Sequence, residues 1–268
     1  MCDVSPKLPV NVYCESVISI KHYTDRLFRF CITRPKSFRF RSGEFVMLGL
    51  MVNGRRISRA YSMASPCWDD KLEFFSIKVE QGPLTTHLQN IQPGDTILLH
   101  KKSTGTLVLD ALIPGNRLYL FSTGTGIAPF VSVIRDPGTY EKFDEVIVTQ
   151  TCRQVVELQY GIDVMHEISQ DEILKDLIGQ KLKFYRTVTQ EDYLYKGRIT
   201  NHILSGEFYR NMDLSPLNPD TDRIMICGSP TMVVDMKDLL IAKKFREGSN
   251  SRLGTFVDCF CLFLIGKM

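Results

Sequence analysis

Gly124-Thr125-Gly126 lies between an apolar run, Arg117 to Phe121, and a helix-like stretch, Ile127 to Ile134. Strand, glycine turn and helix in that order present free N–H groups and a positive helix end to a phosphate. Pro129 stands where a dinucleotide fingerprint has its third glycine, so a plain tight turn also suits these residues alone. Cys227-Gly228-Ser229-Pro230 repeats the arrangement at the end of a later apolar run. Two such turns belong at the carboxyl edge of one parallel sheet, where open α/β sheets bind ligands. Arg59-Ala60-Tyr61-Ser62 places a cation, an aromatic and a hydroxyl on one extended stretch. Period-two alternation sends Arg59 and Tyr61 to one side, fit to clamp a phosphate and stack on a flat ring. A surface Arg beside a half-buried Tyr is the plainer account of that tetrapeptide. Gly82-Pro83-Leu84-Thr85-Thr86 is either a threonine-capped turn or another phosphate cradle.

The elements around these residues divide into two grammars. From Val10 to Leu109, six short strands with turns between them (Val10–Ile20, Leu27–Ile32, Glu44–Val52, Leu72–Val79, Thr96–Leu99 and Thr106–Leu109) predict an antiparallel barrel, with Lys101 to Gly105 as a loop. After Pro114-Gly115, strands alternate with helices and predict a parallel sheet with covered faces. The strands are Arg117–Phe121, Val146–Thr149, Lys183–Val188 and Arg223–Cys227; the helices are Ile127–Ile134, Val155–Ile168 and Pro230–Phe245. The expected domains are residues 1–113 and 114–268.

Composition fits this plan. The 268 residues are 44% hydrophobic and 24% charged, ordinary for a globular chain large enough for two modest domains. The eight cysteines form no Cys-x-x-Cys pair and no iron–sulfur or zinc spacing, so no metal centre is expected. Cys259 and Cys261, flanking a Phe, are taken as incidental apolar residues. The N-terminus lacks an apolar signal region, and the run Phe256 to Ile265 is too short to span a bilayer. A cytoplasmic protein with reduced thiols and no membrane role is expected. Residues 1 to 110 carry 15 Lys/Arg against 10 Asp/Glu, and within them seven cations from Lys21 to Arg41 face only Asp25. A solvated face accounts for that segment; its functional alternative is a surface that steers an acidic partner protein or binds a polyanionic cofactor. No nucleic-acid module accompanies the charge.

In their order and separations, Arg59-Ala60-Tyr61-Ser62, Gly82-Pro83-Leu84-Thr85, Thr123-Gly124-Thr125-Gly126-Ile127-Ala128-Pro129 and Cys227-Gly228-Ser229-Pro230 resemble the bacterial ferredoxin (flavodoxin)–NADP reductases, from about Val12 to about Thr255. The resemblance implies an N-terminal six-stranded antiparallel FAD-binding barrel followed by a parallel-sheet α/β NADP-binding domain. It implies that NADPH gives a hydride to FAD and that the electrons then pass singly to ferredoxin or flavodoxin. By the same resemblance, Arg59 and Ala60 meet the FAD pyrophosphate, Tyr61 stacks on the isoalloxazine, and Ser62 sits near the nitrogen that accepts the hydride. Phe75, Ser76, Ile77 and Lys78 run beside the flavin and its ribityl chain, and Pro83, Leu84 and Thr85 hold the pyrophosphate. Gly124, Thr125, Gly126, Gly228 and Ser229 meet the NADP phosphates, and Cys227 approaches the nicotinamide. Arg153 and Arg198 contact the 2′-phosphate. Tyr61, Ser62 and Cys227 are therefore the expected catalytic residues, with no general base required.

Two departures stand out. Related sequences carry Thr-Arg-Glu where this chain has Thr189-Gln190-Glu191, and an amide cannot form a charged fork on a phosphate. Relatives also end in a tail with an aromatic beside the flavin, whereas this chain departs after Val257 into Asp258-Cys259-Phe260-Cys261-Leu262-Phe263 and an apolar end. That tail is expected to tune the active site rather than hold the fold. The alternatives are a free-flavin or oxygenase-linked NAD(P)H reductase and a non-catalytic FAD and nucleotide redox sensor. A monomer is expected.

Overall fold

The computed structural model describes residues 11–259; Phe260 and Phe263, named above for the tail, lie outside them. Strands β1 (Val12–His22), β2 (Leu27–Thr33), β3 (Phe45–Val52), β4 (Arg55–Ser62), β5 (Lys71–Ile77) and β6 (Thr96–Thr104) form one antiparallel sheet, ordered β4-β3-β6-β1-β2-β5. Its two edges meet at a Met63–Phe74 bridge, which closes the barrel. Alternation drives Phe28, Phe30, Ile32, Leu72 and Phe74 inward onto Leu48 and Leu99. A short helix, α1 (Thr85–Leu88), crosses between β5 and β6.

The barrel's membership differs from the sequence-based expectation at two places. β4 pairs with β3 along its whole length, Phe45 opposite Ser62 and Val52 opposite Arg55. The hairpin turns on Asn53 and Gly54, both at positive φ (49° and 73°), the Asn-Gly turn that matches strand twist. Further on, Lys101 to Thr104 are strand rather than loop, because Ser103 and Thr104 pair with Val46 and Phe45 while the Lys101 N–H bonds the Asn11 carbonyl. Thr106 to Leu109 are consequently not a strand; a 3-10 turn at Leu109–Ala111 leads out of the barrel.

The second sheet comprises β7 (Arg117–Thr123), β8 (Glu145–Cys152), β9 (Leu182–Val188), β10 (Asp222–Cys227) and β11 (Phe256–Asp258), all parallel and ordered β11-β10-β7-β8-β9. Its inner strands are buried except at the ends of β7 and the start of β8, as covered parallel strands must be. Covering or connecting them are α2 (Ala128–Ile134), α3 (Pro137–Lys142), α4 (Gln159–Gln170), α5 (Leu174–Ile178), α6 (Ile199–Leu204), α7 (Glu207–Met212) and α8 (Pro230–Ala242). The chain runs outward from β7 through β8 to β9, then returns to lay β10 on the other flank of β7. The strand order therefore switches between β7 and β10, and that crevice is where such sheets take ligands.

The two halves share a core. Leu27, Phe75 and Leu107 join the cluster built on the parallel sheet, and the Phe75 ring stacks on Tyr160 of α4 at 3.9 Å between centroids. Charges reinforce the seam. Lys21 pairs with Asp163 at 2.6 Å and Arg29 with Glu167 at 2.7 Å. Arg34 donates to the carbonyls of Phe38, Cys67 and Asp69, Arg39 to those of Lys36 and Phe38, and Arg41 to Glu44. These five cations of the Lys21 to Arg41 segment hold loops and halves together, contacts that the sequence-based reading did not foresee. Of the tail after Val257, only Asp258 and Cys259 lie among the described residues. Asp258 belongs to β11 and is buried, its carbonyl accepting from Thr106 Oγ1 at 2.6 Å and its carboxylate pairing with Lys237 at 2.8 Å. A chain stopped at Val257 would therefore cut into the sheet.

Candidate functional site

A cleft of about 1340 Å³ opens between the barrel and the carboxyl edge of the parallel sheet. Single small-molecule pockets span roughly 300–1,000 Å³, so the cleft has room for more than one ligand. Of the site residues expected from sequence, all line it except Lys78. Lys78 follows β5, where its N–H bonds the Arg26 carbonyl at 2.7 Å, and its neighbours Ile77 and Val79 face the cleft instead.

From the barrel come Arg59, Ala60, Tyr61 and Ser62 of β4, Phe75, Ser76 and Ile77 of β5, and the turn Gly82–Thr85. Tyr61 is held edge-on against Phe30 and Phe74 at 6.4 and 6.3 Å between centroids. Its hydroxyl lies 3.3 Å from Ser76 Oγ, and burial pushes its phenol above the ordinary value. The ring therefore stays neutral and fixed, with an aromatic surface on the cleft. The turn before α1 is braced from within. Thr85 Oγ1 bonds both backbone groups of Val79, Thr86 Oγ1 donates to the Gly82 carbonyl, and a Cβ on Gly82 would fall 2.4 Å from Thr85 Oγ1.

The sheet contributes the two glycine turns, and they interlock. Gly124 adopts a left-handed φ of 53°, the conformation glycine reaches without a Cβ penalty. A Cβ on Gly126 would sit 2.3 Å from the Cys227 carbonyl oxygen, and one on Gly228 would sit 2.1 Å from Thr123 Oγ1. That same hydroxyl accepts from the Ser229 N–H at 2.8 Å, while Ser229 Oγ caps α8 by accepting from Met232 N–H. The result is a bare backbone seat at the switch point, of the kind that admits a phosphate closely. Beyond it, Arg153 reaches the cleft from the loop after β8, and Gln190 and Arg198 from the two ends of the loop between β9 and α6. Gln190 N–H bonds the Arg153 carbonyl at 3.0 Å, and Glu157 takes the N–H groups of Arg153 and Gln154, fixing the first loop.

Sequence reasoning passed over some cleft residues. Arg26 enters from the β1–β2 turn, Thr151 and Cys152 close β8, and Cys259 borders the cleft just beyond β11. Residues with no motif around them offered no signal. Cys259 in particular is brought beside Cys227 rather than left incidental. The neighbouring Cys259 sulfur and burial hold the Cys227 thiol well above its usual range, whereas the nearby Cys227 thiol and backbone N–H groups draw Cys259 below it. Among the described residues no group of three or more His, Cys, Asp or Glu is placed to hold a metal, and no helix is long and apolar enough to cross a membrane.

Fold and cleft together define an oxidoreductase built from a flavin-type barrel and a nucleotide-type α/β unit. Residues 14–107 match the oxidoreductase FAD-binding domain family, and residues 120–238 match the oxidoreductase NAD-binding domain family. Over 260 residues the chain is 49% identical to a flavodoxin/ferredoxin–NADP reductase of Rhodobacter capsulatus, covering 96% of each chain. It is 46% identical to a ferredoxin–NADP reductase of Azotobacter vinelandii, covering 86% of this chain and 89% of that one. A ferredoxin NADP+ reductase from Neisseria gonorrhoeae, solved with bound FAD and NADP, superposes with a TM-score of 0.84 at 30% identity, over 93% of this chain and 98% of the other. The chain belongs to the flavodoxin/ferredoxin–NADP reductase family.

Proposed function

We propose that this protein passes electrons between NADPH and ferredoxin or flavodoxin through a bound FAD, with residues 1–113 holding the flavin and 114–268 the nicotinamide nucleotide. The observation that carries this reading is the single cleft in which the Arg59–Ser62 strand and the Gly82–Thr85 turn face the two interlocked glycine turns. The residues suit both groups. The Tyr61 surface and Arg59 fit a flat ring and a pyrophosphate, and the two glycine turns, packed backbone to backbone, offer their N–H groups to a phosphate. When bound, the flavin supplies the conversion between a two-electron hydride and single electrons.

In this reading the chain's own residues bind, orient and exclude water. Arg59 offers charge-assisted bonds to the pyrophosphate and Tyr61 a stacking face. Gly124, Thr125, Gly126, Gly228 and Ser229 seat the nucleotide phosphates, while Arg153 and Arg198 meet the 2′-phosphate. Ser62 and Cys227 flank the reacting atoms. The protein works as a monomer in the cytoplasm, where thiols are kept reduced. Turnover of purified protein with ferredoxin, flavodoxin and free flavin as competing acceptors tests the reading. Preference for a protein carrier is the expected result; preference for free flavin overturns it.

Arg59→Ala is expected to remove about 1.5–3 kcal/mol of flavin binding and weaken FAD retention roughly ten- to a hundredfold, read from the dissociation constant of the released flavin. Nucleotide choice gives a separate check. Arg198→Ala should raise KM for NADPH and leave KM for NADH unchanged, because only one of the two carries the 2′-phosphate. Gln190→Arg should sharpen the preference by adding a charged fork beside Arg153. Equal use of both nucleotides by the wild type would remove the arginines from that role.

A further inference from the structure

The parallel pairing of β10 with β11 runs Ile224–Phe256, Met225–Val257 and Ile226–Asp258, and the Cys259 N–H continues it by bonding the Ile226 carbonyl at 3.1 Å. The next residues on the two strands are Cys227 and Cys259. Laterally paired strands lie about 4.7–4.9 Å apart, within the roughly 4.4–6.8 Å that a disulfide needs between its Cα atoms. Matched positions of a parallel pair send their side chains to one face of the sheet, so the two thiols are neighbours, and each sulfur shifts the other's titration. Each residue is 4% exposed, yet both border the cleft, so a small oxidant entering it reaches them. Both are free thiols in the structure.

We propose that Cys227 and Cys259 form a dithiol–disulfide couple on the wall of the cleft, closed by hydrogen peroxide. Their roles are unequal. The neighbouring Cys227 thiol and the Gly228 backbone favour the Cys259 thiolate, whereas the Cys259 sulfur and burial keep Cys227 protonated. The thiolate is the nucleophile, so Cys259 attacks one peroxide oxygen. An S–O bond forms, the O–O bond breaks, and the second oxygen leaves as hydroxide to become water by taking the proton that Cys259 had released. Cys227 then attacks the sulfenic sulfur of Cys259. The S–S bond forms, the S–O bond breaks, and hydroxide leaves as water with the Cys227 proton. Two electrons pass from the two sulfurs to one peroxide. The buried thiols of Cys31 and Cys152, pushed up by desolvation, have no such partner chemistry. The consequence for turnover rests on the function proposed above: closing the bond draws the Cys227 sulfur toward Cys259 and away from the reacting edge.

The test uses the flavin-loaded protein carrying Cys261→Ser, so that the C-terminal peptide has one cysteine. Hydrogen peroxide is added at one equivalent, remaining thiols are alkylated, and peptides are mapped by mass spectrometry without reduction. The expected result is loss of two thiols and a linked Cys227–Cys259 peptide. NADPH-to-dye turnover in the same sample should fall roughly tenfold or more and return with dithiothreitol, since misplaced groups in an active site cost that much. Cys259→Ser in the same background should yield no linked peptide. Oxidation that ends at sulfinic acid, or that links any other pair, overturns the proposal. The mapping does not depend on turnover. A mapped link with turnover unchanged overturns only the effect on the reaction, and failure of NADPH turnover before peroxide is added counts against the proposed function alone.

Discussion

Replacing Glu73 by Ala is expected to destabilise the protein by about 3–5 kcal/mol, the cost of stripping one partner from a buried ion pair. Glu73 is 6% exposed on β5. One carboxylate oxygen accepts from the fully buried Tyr160 hydroxyl at 2.8 Å and faces the Arg135 guanidinium at 3.4 Å. Arg135 continues to Glu167 at 2.6 Å, and Glu167 to Arg29 at 2.7 Å. The network crosses from barrel to α/β unit beside the Phe75–Tyr160 stack, so the variant leaves an unsatisfied phenol and an under-compensated cation at the seam. For a chain of this size the loss corresponds to a fall in melting temperature of roughly 6–20 °C. Tyr160→Phe, which removes one hydrogen bond and keeps the ring stack, should cost only about 1–2 kcal/mol. A Glu73→Ala melting point within 2 °C of wild type, about 0.5–1 kcal/mol, would mean that water already reaches the network.

Glu73 also marks where sequence stops being informative. On β5, Leu72 and Phe74 point into the barrel, and alternation puts Glu73 on the opposite face, where an acid looks solvent-exposed. That face is covered by α4, whose Tyr160 lies 87 residues away, and no periodicity announces a contact at such separation. The internal ion pairs of the basic segment were hidden for the same reason: the partners of Lys21 and Arg29 stand 142 and 138 residues later. Local signals fared better. Both glycine turns, the Arg59–Ser62 stretch and the change of grammar after Pro114 each depend on a few adjacent residues, and every one of them appears in the structure where its spacing placed it. β4 lacked an apolar pattern because five of its eight residues are Arg or Ser, and two of them, Arg59 and Ser62, face the cleft, although Asn53-Gly54 announces its hairpin. Cys259 was invisible as a partner of Cys227 because only the β10–β11 register brings the two together.

Gly126→Ala is expected to lower kcat/KM for NADPH by about 100-fold while leaving FAD retention unchanged. The added Cβ would lie 2.3 Å from the Cys227 carbonyl oxygen, 2.6 Å from its carbon and 2.8 Å from the Gly228 Cα, where ordinary contact begins at 3.4 Å. All three obstacles are backbone, so no side-chain rotation relieves them, and the two turns must part by about 1 Å. A displacement of that size in a positioned site costs on the order of 10²-fold in rate. Both turns lie on the side of the cleft opposite the Arg59–Ser62 strand, which is why the flavin should be spared. Gly124→Ala separates crowding from conformation. Its Cβ would meet nothing within 4 Å, but its φ of 53° would carry a left-handed penalty of roughly 1–2 kcal/mol. That variant should lose stability while keeping most of its NADPH kinetics, and Gly124→Asn should lose less still, since Asn tolerates the left-handed region. Steady-state kinetics with NADPH and a neutral dye, beside thermal melts of all three variants, decide the matter. If Gly126→Ala turns over NADPH like the wild type, the interlocked turns are not the seat of the nucleotide, and the phosphates must rest elsewhere in the cleft.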